Sequence, residues 1–125
     1  VSKPLTLGAI PTSPGTARAA ARYLLAEWGL SHLADTVELI VSELVTNAVQ
    51  VSVCHQIPPP VQFGMSSAHG SVLIEVWDCD PSQPVMRQPM DIDESGRGLM
   101  LVATLSRQWG WAEFGQGKIV WAEVG

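Results

Sequence analysis

"SELVTNAVQ", residues 42–50, decides how the chain is read. It lies inside a longer segment whose apolar residues are Val37, Ile40, Val41, Leu44, Ala48 and Val51. At 100° per residue these fall on one face, which predicts a helix with one side in a core. Asp35-Thr36-Val37-Glu38 has the form of a capping box, so the helix is expected to start at Asp35 and run to about residue 52. Glu43 and Asn47 sit four apart at the edge of the apolar face, one above the other. Asn is a mediocre helix former, and a carboxylate and a carboxamide need a reason to stand beside a core.

Outward from this helix, "CHQIPPP" (54–60) breaks it, because three prolines cannot continue it. Val61, Phe63 and Met65 then alternate with Gln62, Gly64 and Ser66, a strand pattern over 61–67. "SVLIEVWD" (71–78) is β-branched and apolar enough for a central strand, and the two form a hairpin. Residues 79–95 carry Pro81, Pro84 and Pro89 with Asp80, Asp91, Asp93 and Glu94, and read as a long acidic loop. "SGRGLMLVATLSRQ" (95–108) returns to helix, and "WGWAEFG" and "GKIVWAEVG" close the chain as a hairpin at Gly115-Gln116-Gly117. Upstream, "KPLTLGAI" (3–10) reads as an opening strand. Ser13-Pro14 starts a helix with Ser as N-cap, and Gly29 ends it after Trp28.

The order β-α-α-β-β-loop-α-β-β, with later strands joined by hairpins, predicts an α+β fold. It has a mixed, mostly antiparallel sheet and helices on one face. No internal repeat or boundary divides residues 1–125, which read as one domain. Apolar residues make up 46%, enough for a core at this length. The net charge is −5 with seven Lys and Arg, which argues against direct nucleic-acid binding through phosphate contacts. The apolar runs are too short to span a bilayer, and no signal-like segment opens the chain, so a cytoplasmic location is expected. Cys54 and Cys79 read as free thiols, and His32, His55 and His69 as structural or surface residues. The tryptophans read as core or sheet-face packing. "GQGK" (115–118) lacks the Ser/Thr and the following helix of a Walker phosphate loop.

Three features carry chemistry. Glu43 and Asn47 present oxygens suited to a hard cation such as Mg²⁺, with Glu43 as a base; the same pair also fits an ordinary exposed helix surface. Asp78 ends a buried strand at a crevice, where its carboxylate can accept from an exocyclic amine such as adenine's; it equally fits a cap on the following turn. Gly96, Arg97 and Gly98 open a helix whose free N–H groups favour an anion, although a lone Gly-x-Gly also starts ordinary helices.

Taken in order, these features resemble the GHKL superfamily of ATP-binding domains, most closely the small stand-alone bacterial members related to anti-sigma-factor serine/threonine kinases. The resemblance spans nearly the whole chain. "ELVTNAV" (43–49) is similar to the family's N box, "VWDCDPSQP" (76–84) to its first glycine box, "ESGRGLMLV" (94–102) to its second, and "GKIVWAEV" (117–124) to its closing strand. It implies a two-layer Bergerat-type fold, with ATP and Mg²⁺ as cofactors. Glu43 would be the general base, Asn47 the Mg²⁺ ligand, and Asp78 the adenine-binding carboxylate. Gly96, Arg97, Gly98 and Leu99 would lie at the nucleotide, with 79–95 as its lid. The implied activity is a protein kinase that passes the γ-phosphoryl to an anti-sigma-factor antagonist and also binds a sigma factor; homodimerisation is left open. The first glycine box departs from the family, since Asp78-Cys79-Asp80-Pro81-Ser82 has no glycine. That departure motivates a rival reading: a module that binds nucleotide weakly or not at all and acts by sequestering a partner.

Overall fold

The computed structural model describes residues 4–84 and 94–125, with side chains in the second stretch from Leu99 onward. Its elements are β1 (Leu5–Leu7), α1 (Ser13–Glu27), a short 3-10 turn (Ser31–Leu33), α2 (Ala34–Ser52), β2 (Val61–Ala68), β3 (Ser71–Asp78), α3 (Glu94–Leu105), β4 (Gln108–Phe114) and β5 (Gly117–Val124). The strands form one sheet in the order β1-β2-β3-β5-β4, and all four pairings are antiparallel. The helices cover one face of it, giving the α+β fold expected from the element order, with no parallel pair among the described strands.

Strand periodicity builds the core. Val61, Phe63 and Met65 of β2, Val72, Ile74 and Val76 of β3, and Val120, Ala122 and Val124 of β5 are buried at every second position. α2 packs against α1 and α3 as well as β2 and β3. It buries Val37, Ile40, Val41, Leu44, Val45, Ala48 and Val49, and each larger side chain contributes roughly 2 kcal/mol. The apolar stripe is wider than the sequence pattern suggested, because Val45 and Val49 are enclosed by neighbours on both sides. α1 presents Ala17 and Ala21, small residues that let it lie close to α2, and buries Leu25 in the core.

The helix starts differ from expectation. α2 begins one residue before Asp35, after the 3-10 turn, so Asp35 lies in the first turn and the box does not form. Asp35 still favours that end, since its charge opposes the positive pole of the helix dipole. In α1 the N-cap is Thr12, and the Ser13 hydroxyl donates to the Gly8 carbonyl at 2.6 Å instead of capping. Gly29 takes the left-handed conformation (φ +70°) that ends the helix. The predicted 79–95 loop is shorter at its far end, because Glu94 and Ser95 are helical. The helix predicted to 108 stops at Leu105, and Gln108 already pairs with Glu123. Residues 85–93, the middle of the expected lid, lie outside the described residues.

One glycine is fixed by the register of the sheet. β3 and β5 run antiparallel with Asp78 opposite Lys118, which brings Gly117 against the end of β3. A Cβ there would meet the Asp78 carbonyl oxygen at 1.8 Å and the Trp77 ring at 2.8 Å. Gly117→Ala must therefore pry β5 away from β3, and we expect a loss on the order of 3 kcal/mol in a denaturant melt. A change below 0.5 kcal/mol, roughly the scatter of neutral surface substitutions, would show that the strands do not approach this closely.

Candidate functional site

A cleft of about 450 Å³ opens between α2, the ends of β3 and β5, and the start of the segment after β3. Asn47, Val51 and Cys54 line it from α2 and its C-terminal end, Val76 and Asp78 from β3, Lys118 and Val120 from β5, and Leu99 from α3. The volume falls in the range of small-molecule sites. Most of the lining is apolar, with a few converging polar groups.

Asn47 reaches the cleft because α2 turns its core stripe only partly toward the sheet. Leu44, Asn47 and Val51 follow one another at helical spacing, and all three line the hollow. The Asn47 side-chain oxygen is buried and has no hydrogen-bond partner among the described residues. A buried amide oxygen without a partner costs about 1–3 kcal/mol, so its presence asks for a ligand. A hard cation fits that oxygen. Among the described residues no group of three His, Cys, Asp or Glu could hold a metal. A cation at Asn47 would therefore complete its shell with ligand phosphates and water, as Mg²⁺ commonly does. Glu43, one turn earlier on the same helix, is half-buried and is not among the residues lining the cleft.

Asp78 follows Val72, Ile74 and Val76 on the inward face of β3, so strand alternation alone carries its carboxylate into the interior, where it is 4% exposed. It does not face the cleft alone. Lys118, directly opposite on β5 and also 4% exposed, donates from Nζ to Asp78 Oδ1 at 3.0 Å. A second ammonium proton goes to the Asp80 carbonyl at 2.9 Å. Burial pushes the Asp78 carboxyl above its ordinary value, while the Asp80 amide and then the Lys118 ammonium pull it back. Lys118 was missed in the sequence, although the signal was there. Lys118, Val120, Ala122 and Val124 are one alternating set, so a strand whose even positions face the core must bury its lysine.

The glycine-free stretch after Asp78 turns by side-chain means. The Asp80 amide donates to Asp78 Oδ1 at 2.9 Å, and the Ser82 amide donates to Asp80 Oδ1 at 2.8 Å. These are two successive Asx turns, and Pro81 falls between them, where no N–H is required. Asp80 is held below the ordinary carboxylate range mainly by its bond from Ser82. At the rim, His55 Nε2 and Cys79 Sγ meet at 3.1 Å, a contact the sequence did not suggest. Burial, followed by the Asp78 charge, raises the Cys79 thiol above its ordinary value, which favours its protonated form. Gly96, Arg97 and Gly98 lie in the first turns of α3, and Leu99 is buried and lines the cleft. Asn47, Asp78 and Leu99 are thus brought together, whereas Glu43 stands one turn outside.

The profile of the histidine kinase-like ATPase domain matches residues 8–124. The chain belongs to that family, and its cleft lies in an ATP-binding domain. No curated protein matches the chain. Among the described residues no helix is long and apolar enough to cross a membrane.

Truncating one partner of a buried ion pair leaves the other charge stranded. We expect Lys118→Ala to lower unfolding free energy by about 3 kcal/mol, and the double variant Asp78→Asn/Lys118→Met to recover most of it. A denaturant titration of the three proteins checks this. Equal stability of wild type and Lys118→Ala would mean the pair is solvated.

Proposed function

We propose that the cleft binds Mg²⁺-ATP and that the chain is an anti-sigma-factor-like serine/threonine protein kinase. The orphaned, buried Asn47 oxygen, sharing one hollow with Asp78, is the observation that supports this most directly. Asp78 would accept from the adenine amine and Asn47 would hold the cation, which would neutralise phosphate charge when bound. The start of α3, from Glu94 to Gly96, has backbone N–H groups without an intrahelical acceptor, which favours an anion there. Glu43, one turn from Asn47 and outside the lining of the cleft, would take the proton of a hydroxyl brought by a second protein. The acceptor would be an anti-sigma-factor antagonist, and a sigma factor would be a second partner, as in the stand-alone kinases the sequence resembles.

One observation favours the alternative of a binding module without transferase activity: Glu43, the base that transfer would need, is not among the residues lining the cleft. Calorimetry with Mg²⁺-ATP tests both readings. Saturable binding is expected, weakened at least tenfold by Asn47→Ala and by Asp78→Asn. Glu43→Ala should keep affinity within about threefold and abolish transfer of labelled phosphate to a serine-bearing partner. Absence of a saturable signal at millimolar ATP would remove the nucleotide from the proposal. Binding without transfer to any antagonist-type protein would leave the sequestering module.

A further inference from the structure

Lys118 is a buried ammonium in the wall of the cleft, and neither the fold nor a metal-phosphate site requires it. Its three protons can be followed. One goes to Asp78 Oδ1 and one to the Asp80 carbonyl. The third has no acceptor among the described residues, and Lys118 lines the cleft. Asp78 shows the complementary pattern. Oδ1 accepts from both Lys118 Nζ and the Asp80 amide, which fills its two lone-pair directions. No hydrogen bond reaches Oδ2 from the described residues. The cross-strand pair therefore offers a ligand one acceptor and one charged donor, side by side.

We propose that Lys118 reads the base directly, donating its third proton to the ring nitrogen N1 of a 6-aminopurine while Asp78 Oδ2 accepts from the exocyclic amine. This rests on the nucleotide-binding reading and goes beyond it by assigning a second base-contacting residue. A 6-aminopurine edge carries one donor beside one acceptor, the inverse of what the pair presents. A guanine edge instead sets two donors, N1–H and N2–H₂, beside its carbonyl, and asks for both oxygens of a carboxylate. Oδ1 is taken, so one guanine donor would be left buried and unpaired. Guanine can meet the same donor with its carbonyl oxygen, so Lys118 selects adenine over guanine by occupying half of Asp78. Two antiparallel strands hold both charges before the ligand enters, so little conformational freedom is lost on binding.

The test compares ATP, GTP and 1-deaza-ATP, in which C–H replaces N1, against the wild-type chain by calorimetry with Mg²⁺ present. ATP is expected to bind roughly tenfold or more tightly than 1-deaza-ATP, the loss of one charge-assisted hydrogen bond, and GTP to bind more weakly than ATP. In Lys118→Met the ATP and 1-deaza-ATP affinities should converge. Should that variant not fold, the ¹⁵N resonance of N1 in labelled ATP gives the same answer on the wild type. It moves upfield when an ammonium donates to it and stays put otherwise. Equal binding of ATP and 1-deaza-ATP by the wild type, a preference that survives in Lys118→Met, an unmoved N1 resonance, or GTP binding as tight as ATP would each overturn the role of Lys118. All four leave the nucleotide site itself standing. If none of the three triphosphates binds, both the role and the site fall.

Discussion

The register between β3 and β5 is the constraint from which the site follows. A one-residue slip of either strand would put Asp78 and Lys118 on opposite faces of the sheet. The register is held from both sides. The alternating aliphatic residues of each strand have one face that can be buried, and Gly117 is the residue that lets the Asp78 carbonyl approach. Because both ends of the ion pair are fixed by backbone pairing, neither side chain is free to search for other partners. A buried pair of this kind adds little to stability against an apolar replacement. Burial raises the Asp78 carboxyl against the pull of the Asp80 amide and of Lys118. A charge pair that adds little to stability, sited in the wall of a cleft, is more readily understood through what it binds than through what it stabilises.

α2 meets two demands with one helix. Its packed side carries Val37, Ile40, Val41, Leu44, Val45 and Ala48, and this anchors it against α1, α3 and the sheet. Asn47 lies at the seam where that packing gives way to the hollow. A helix held along its length keeps such a residue in place although its side-chain oxygen has no hydrogen-bond partner among the described residues, so the packing of its neighbours offsets the cost of that oxygen. Glu43, one turn back, is still on the helix edge but beyond the lining of the cleft. The two residues of the opening stretch are therefore neighbours in sequence with different surroundings.

Where the sequence was legible, periodicity was strong. The β2–β3 and β4–β5 hairpins and the end of α2 were visible because alternation and proline leave few other choices. Helix starts were less so. The Asp35 box is a local signal, and the 3-10 turn before it follows from how Leu30 and Leu33 pack on the core, which no local pattern states. Asp78 could be singled out as the end of a strand. Its partnership with Lys118 could not, because forty positions separate them and only the strand order brings β5 beside β3. Lys118 stands in the sequence both in "GQGK", which lacks the marks of a Walker phosphate loop, and at the start of the closing strand, whose alternation buries it.

The missing glycines after Asp78 pose a problem that the turn itself resolves. Glycine is useful beside a nucleotide because it lets the chain bend sharply and approach closely. Here the bend comes from two carboxylates, each accepting an amide two residues on, with a proline whose fixed φ suits a turn. The bend is thereby stiffer than a glycine-rich one, and it is tied to the site, because Asp78 Oδ1 is both turn-former and ion-pair acceptor. Chain direction, the Asp78 carboxylate and the lysine on β5 consequently share one oxygen atom. A glycine turn would leave those three independent. In this chain a change at any one is felt by the other two, which couples the course of the backbone after β3 to whatever occupies the cleft.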